Sequence, residues 1–96
     1  MPAVIFTLAA IRDLERLREF LRTKNLQAAR RAGEAILGGV RILGSQPQIG
    51  RLIEGLPDEF REWLIDFGDS GYVVRYRLSA ETVAILAVRH QREVGF

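Results

Sequence analysis

The residues of this chain with the most chemical capacity gather in its C-terminal half: Arg51, Glu54, Arg61, Arg75, Arg77, Arg89, His90, Gln91 and Arg92. Cleavage of RNA needs one group to take the 2′-hydroxyl proton, another to protonate the leaving oxygen, and cations to stabilise the transition-state phosphate. Glu54 or His90, with Arg61 and its neighbours, offers those roles on paper. A blander alternative is that Arg75 and Arg77 pair with Asp66, Glu62 or Glu81 across neighbouring strands, since alternate charges on an exposed strand need no special cause. Trp63 and Phe67 share parity with Arg61, as a stacking platform among arginines or as core.

Other chemistries find less footing. Ser70, His90 and Asp66 supply the residue types of a serine triad, but no nucleophile elbow surrounds the serine. Gly33, Gly38 and Gly39 lack the spacing of a phosphate cradle. The chain has no cysteine and one histidine, so disulfides and thiolate metal sites are excluded and no metal or cofactor is expected.

The elements that must position these residues follow from hydrophobic periodicity. Val4 to Leu8 is a short apolar run with β-branched and aromatic content and reads as a strand. From Ala9 the period becomes helical: Ile11, Leu14, Leu17 and Leu21 fall on one face with Phe20 beside them, while Arg12, Glu15, Arg16 and Glu19 lie outside. Thr23-Lys24-Asn25 interrupts the pattern, and Asn25 is suited to cap a second helix. That helix buries Ala29, Ala32, Ile36, Val40 and Leu43, and its small residues allow close approach to the first, giving an antiparallel hairpin.

Ser45, Pro47 and Gly50 mark the exit from the helices. Three strands in a meander follow: Phe60 to Phe67, Tyr72 to Leu78 and Thr82 to His90. In the middle strand Val74, Tyr76 and Leu78 face one side and Val73, Arg75 and Arg77 the other. In the last, Ala84, Leu86 and Val88 alternate with Val83, Ile85 and Ala87, which makes it a central strand covered on both faces. The reading is α+β, in the order β-α-α-β-β-β, with a helical hairpin packed on a small, mainly antiparallel four-stranded sheet. Residues 1–96 form a single domain, a size that supports one core.

Composition agrees, with 48% hydrophobic and 27% charged residues. The net charge is only +2, yet thirteen of the fourteen basic residues are arginine. Arginine's planar fork suits carboxylates and phosphates, so an acidic protein or a nucleic acid is the expected kind of partner. Residues 1–50 carry eight basic against four acidic groups (+4) and the remainder six against eight (−2). The apolar stretches are too short to span a bilayer and no charged signal precedes them, so a cytoplasmic location without membrane contact is expected.

Four segments together resemble the ParE/RelE superfamily of bacterial toxins: Gly50-Arg51-Leu52-Ile53-Glu54-Gly55-Leu56-Pro57, Phe60-Arg61-Glu62, Ser70-Gly71-Tyr72-Val73-Val74-Arg75-Tyr76-Arg77, and Ala84-Ile85-Leu86-Ala87-Val88-Arg89-His90-Gln91-Arg92. The opening strand and Asp13-Leu14 extend the likeness over nearly the whole chain. The resemblance implies the toxin of a type II toxin-antitoxin system, of a kind associated with plasmid stabilisation, held inactive by a cognate ParD-like antitoxin that wraps it. It implies no sequence-specific DNA binding by this chain itself.

The RelE-like branch cuts messenger RNA in the ribosome; the ParE-like branch poisons DNA gyrase. Arg61 keeps a basic residue where the ribonuclease branch has lysine, but Trp63, Val73 and Gln91 stand where it has three further cations. Val88-Arg89-His90-Gln91-Arg92 is similar to the strand end of the ParE-like branch. The resemblance therefore implies a gyrase inhibitor acting by binding, with Arg61, Trp63, Arg75, Arg77 and Arg89 meeting the antitoxin and His90, Gln91, Arg92 and Phe96 meeting the target. The alternatives are a ribosome-dependent endoribonuclease using Glu54, Arg61 and His90, and a degenerate, non-toxic member.

Overall fold

A computed structural model of the chain describes residues 2–93. The order is β1 (Ala3–Phe6), α1 (Leu8–Arg22), α2 (Leu26–Ser45), β2 (Arg51–Leu52), β3 (Phe60–Phe67), β4 (Ser70–Leu78) and β5 (Thr82–His90). The first strand stops short of the expected Leu8 because Thr7 turns the chain. Its hydroxyl accepts the Ala10 N–H at 3.2 Å, capping α1, and donates to the Ile85 carbonyl at 2.8 Å, so one side chain both ends a strand and starts a helix.

Asn25 caps α2 as its type foretells, its Oδ1 accepting the Ala28 N–H at 3.1 Å. The buried stripe of α2 is Ala29, Ala32, Ile36, Val40 and Leu43. Helix α1 departs from expectation: Ala10 and Leu17 are its buried residues, whereas Ile11 and Phe20 are 41% and 60% exposed. Leu14 and Leu21 are partly buried against the core, so the packed stripe of α1 is Ala10, Leu14, Leu17 and Leu21, with Ile11 and Phe20 outside it.

The sheet has five strands in the order β1-β5-β4-β3-β2, one more than the sequence suggests. The addition is β2, two exposed residues pairing antiparallel with β3 through Arg51 opposite Glu62 and Leu52 opposite Arg61. Strand β1 runs parallel to β5, which the long connection through both helices and the other three strands permits, and the other pairs are antiparallel. Gly68 takes φ +63° in the two-residue loop joining β3 to β4, the glycine-first pattern of a type II′ hairpin turn.

Both helices lie on one face, where Ile65, Tyr72, Val74, Tyr76, Val83, Ile85 and Val88 meet the helical stripes in a single core. Strand β5 is central, between β1 and β4, but its alternation is broken. Arg75 pairs with Ala87 and Tyr76 with Ile85, so Leu86 is an unpaired bulge residue. The core positions therefore run Val83, Ile85, Val88, and Ala87 turns away. The second face of β5, carrying Ala84, Leu86 and Ala87, is only partly covered, which corrects the expectation of a strand buried on both sides.

Candidate functional site

Strand parity divides the arginine-rich set between the two faces of the sheet. On the face away from the helices, Glu62 stands opposite Arg75 and next to Arg51. Its carboxylate accepts from Arg75 Nε at 2.9 Å and from Arg51 Nε at 3.1 Å, and its side chain is only 13% exposed. Arg77 pairs with Glu59 at 2.7 Å, not with Asp66 or Glu81, and its guanidinium lies 5.8 Å from the centre of the Phe60 ring. Cross-strand pairing is thus present. Between these charges runs a groove of ≈270 Å³ lined by Ile53, Leu56, Phe60, Leu86 and Ala87, with Arg75 and Arg89 beside it.

Arg61 and Trp63 belong to the other face. Arg61 Nη1 donates to the carbonyls of Gln48 and Gly50 at 3.1 and 3.0 Å, bracing the passage from α2 into β2, while its Nε is buried without a hydrogen bond. Trp63 Nε1 donates to the Gly39 carbonyl at 3.1 Å and packs against the core. Arg75 and Arg77 lie on the opposite face, because the odd-numbered residues of β3 follow Ile65 toward the helices.

The end of β5 forms a second surface. His90 packs edge-on against Tyr72 with ring centres 5.4 Å apart, and Phe67 lies 5.9 Å from the same tyrosine. The Arg92 N–H donates to His90 Nδ1 at 3.1 Å, so the neutral ring carries its proton on Nε2. The Gln91 N–H donates to the Gly71 carbonyl at 2.9 Å, continuing the ladder beyond the strand. Here a cavity of ≈600 Å³ opens, walled by Leu17, Phe20 and Leu21 of α1 and by Phe67 and Tyr72. His90, Arg92, Arg16 and Glu93 line it as well.

Burial, reinforced by the negative charge of Glu93, holds the Tyr72 phenol above its ordinary pKa, so the ring meets the cavity as a neutral group. Neither Phe20 nor Tyr72 stood out in the sequence as a site residue. The signal that could have marked Phe20 is an aromatic beside, not within, the narrow stripe of α1.

Glu54 and His90 do not form an acid–base pair. Strand β2 joins β3 at Arg61 and Glu62, just before Glu54, whereas His90 pairs with Tyr72, itself opposite Ile65 toward the other end of β3. Ser70 lines the cavity with His90, but Asp66 lies on the opposite, exposed face. Phe96 lies outside the described residues. Among the described residues, no His, Asp and Glu side chains gather as a metal set, and no helix is long and apolar enough to cross a membrane.

A helical hairpin on one face of a mixed sheet, with the other face open and arginine-bearing, defines the class of the domain. The same fold occurs in a chain of the structure described as "Chromosomal ParDE TA system from P. aeruginosa", with a TM-score of 0.78 at 17% identity, covering 94% of this chain and 96% of that one. Residues 4–95 match the family described as the ParE toxin of the type II toxin-antitoxin system parDE, and the chain belongs to that family. It is 36% identical over 84 residues to Toxin RelE3 of Caulobacter vibrioides, covering 88% of each chain. It is also 33% identical over 90 residues to Toxin RelE1 of that organism, covering 94% of each. The chain is therefore the toxin component of a type II system, with a cognate antitoxin as its partner.

Proposed function

We propose that this toxin acts by binding, that its target is DNA gyrase, and that a ParD-like antitoxin neutralises it on the open face of the sheet. The observation that supports the reading is the separation of Glu54 from His90 toward opposite ends of the sheet, which leaves that one candidate acid–base pair apart. What surrounds His90 instead is an apolar cavity in the size range of ligand-binding clefts. The substitutions at Trp63, Val73 and Gln91 support the same conclusion, since none offers a cation to a phosphate.

The antitoxin fits the groove beside β5. An extended or helical segment with apolar side chains would fill the space between Ile53, Phe60 and Leu86, and its carboxylates would meet Arg75 and Arg89 beside it and Arg77, which lies over Phe60. The target would take the strand end, with His90, Gln91 and Arg92 around the cavity. Purified toxin added to gyrase should abolish supercoiling, and added antitoxin should restore it. Unchanged supercoiling at toxin excess sinks the gyrase assignment.

The RelE names of the two Caulobacter relatives favour one second reading, a ribosome-dependent endoribonuclease centred on His90. New messenger RNA ends on toxin-treated ribosomes, lost in His90→Ala, would establish it.

A further inference from the structure

Strand β1 ends at Phe6, so among the described residues β5 has no strand neighbour on that side beyond Ile85. Asp13 of α1 takes the place of one, its Oδ2 accepting the Val88 N–H at 3.0 Å. Its Oδ1 meets Arg89 Nη1 at 2.5 Å, a contact between the first helix and the last strand with both side chains partly buried. Arg89 Nε in turn lies 3.9 Å from Glu93 Oε2. Glu93 then grips the Arg16 guanidinium through both carboxylate oxygens, Oε1 with Nη1 and Oε2 with Nη2, the latter at 3.3 Å. Arg16 Nη2 returns to Asp13 Oδ1 at 4.0 Å and closes the ring.

Four charges of alternating sign thus join one turn of α1 to the two sides of His90. The two-oxygen grip on Arg16 fixes direction as well as distance, because both partners are planar. The hydrogen bond that Arg16 donates to Glu93 is the foremost reason that the Arg16 pKa is raised, against a smaller opposing effect of burial. Arg16 and Glu93 also line the cavity that His90 borders, so their pairing shapes its mouth.

We propose that this ring is a clasp, in which Arg16 and Glu93 are positioning residues that set the path of His90, Gln91 and Arg92 toward the target. The inference rests on the reading of the strand end as the target-binding surface, and it holds for either target, gyrase or ribosome. It separates two roles of the cations: Arg75 and Arg77 face the antitoxin groove, whereas Arg16 works on the strand end through Glu93.

The test is growth arrest on induction of the full chain without antitoxin, with melting temperature and antitoxin affinity measured on each purified variant. Arg16→Glu and Glu93→Arg should each lower potency by roughly three- to tenfold, and the doubly swapped chain should recover most of it, the coupling expected of residues in contact. Antitoxin affinity should stay near wild type, a pattern that general destabilisation would not give. Glu93→Gln, which preserves shape and removes charge, should show the loss without misfolding if either reversal fails to fold. Arg22→Ala, whose exposed pair with Glu19 lies on the same helix outside the ring, should keep full potency. Single variants as potent as wild type, or a double swap that recovers nothing, would overturn the clasp and leave the target surface standing. A wild-type chain that does not arrest growth would overturn both.

Discussion

Tyr76→Phe isolates one hydroxyl that braces the path from α2 to the groove beside β5. The ring is fully buried, and its Oη donates to the Pro47 carbonyl at 2.8 Å and accepts the Gly50 N–H at 2.9 Å. Arg61 holds the same segment from beside it, through Gln48 and Gly50. Phenylalanine keeps the apolar area in place, so the change in stability reduces to two hydrogen bonds. The Gly50 N–H loses its acceptor in a buried setting, which costs about 1–3 kcal/mol, while the Pro47 carbonyl is near enough to water to lose about 0.5–1.5 kcal/mol. A net loss of about 2–3 kcal/mol is expected in urea unfolding at unchanged m-value. For a domain this size the midpoint of thermal unfolding should fall by roughly 10–20 °C. Antitoxin affinity should fall with it, since Ile53 and Leu56 continue from this segment into the groove. A loss below about 0.5 kcal/mol with the same m-value would refute the staple, because that is the range of an indifferent surface change.

Other perturbations report on neighbouring parts of the molecule. A Cβ at Gly50 would overlap the Tyr76 hydroxyl and the Glu62 carbonyl, so Gly50→Ala should destabilise by about 1–3 kcal/mol or more, read by urea unfolding. Burial raises the pKa of Tyr72 and of Tyr76, the latter against smaller opposing effects of the Gly50 hydrogen bond and Arg61. Both phenols stay protonated in the fold at a pH where the unfolded chain ionises, so stability is retained below about pH 10 and falls as pH rises through the folded values, by up to about 1.4 kcal/mol per pH unit for each tyrosine. Unfolding free energies across that range check it, and Tyr76→Phe should remove part of the slope. Arg77→Ala should leave stability within about 0.5 kcal/mol, since its pair with Glu59 is largely exposed, yet weaken antitoxin binding roughly fivefold and reduce its salt dependence, measured by titration calorimetry.

Much of the fold was legible because local patterns spoke without competition. The five buried positions of α2, the Asn25 cap, and the limits of β3 and β5 all followed from periodicity and turn residues. Strand β2 left no such trace: two exposed residues cannot alternate, and their pairing with β3 exists only in three dimensions. The bulge at Leu86 was equally silent, since every residue from Val83 to Val88 is apolar and parity cannot be read from an unbroken run. The same limit governed the site. Arg61 and Trp63 looked like members of one arginine edge with Arg75 and Arg77, yet which parity faces the helices is decided by packing around Ile65. Asp13, the partner of Arg89, lies too far away in sequence for any spacing rule to join them. His90 could be marked as the strand-end residue, but the cavity beside it forms only where Leu17, Phe20 and Leu21 of α1 meet Phe67 and Tyr72, a tertiary feature.

A toxin that acts by binding titrates its target and does not turn over. Supercoiling by a fixed amount of gyrase, followed as purified toxin is increased, reads that property without intermediaries. The activity should fall in proportion to toxin added and reach its floor near equimolar ratio, with His90→Ala shifting the curve and not abolishing a reaction. Full supercoiling at toxin excess, with messenger RNA on ribosomes acquiring new ends under catalytic amounts of the same preparation, would contradict it.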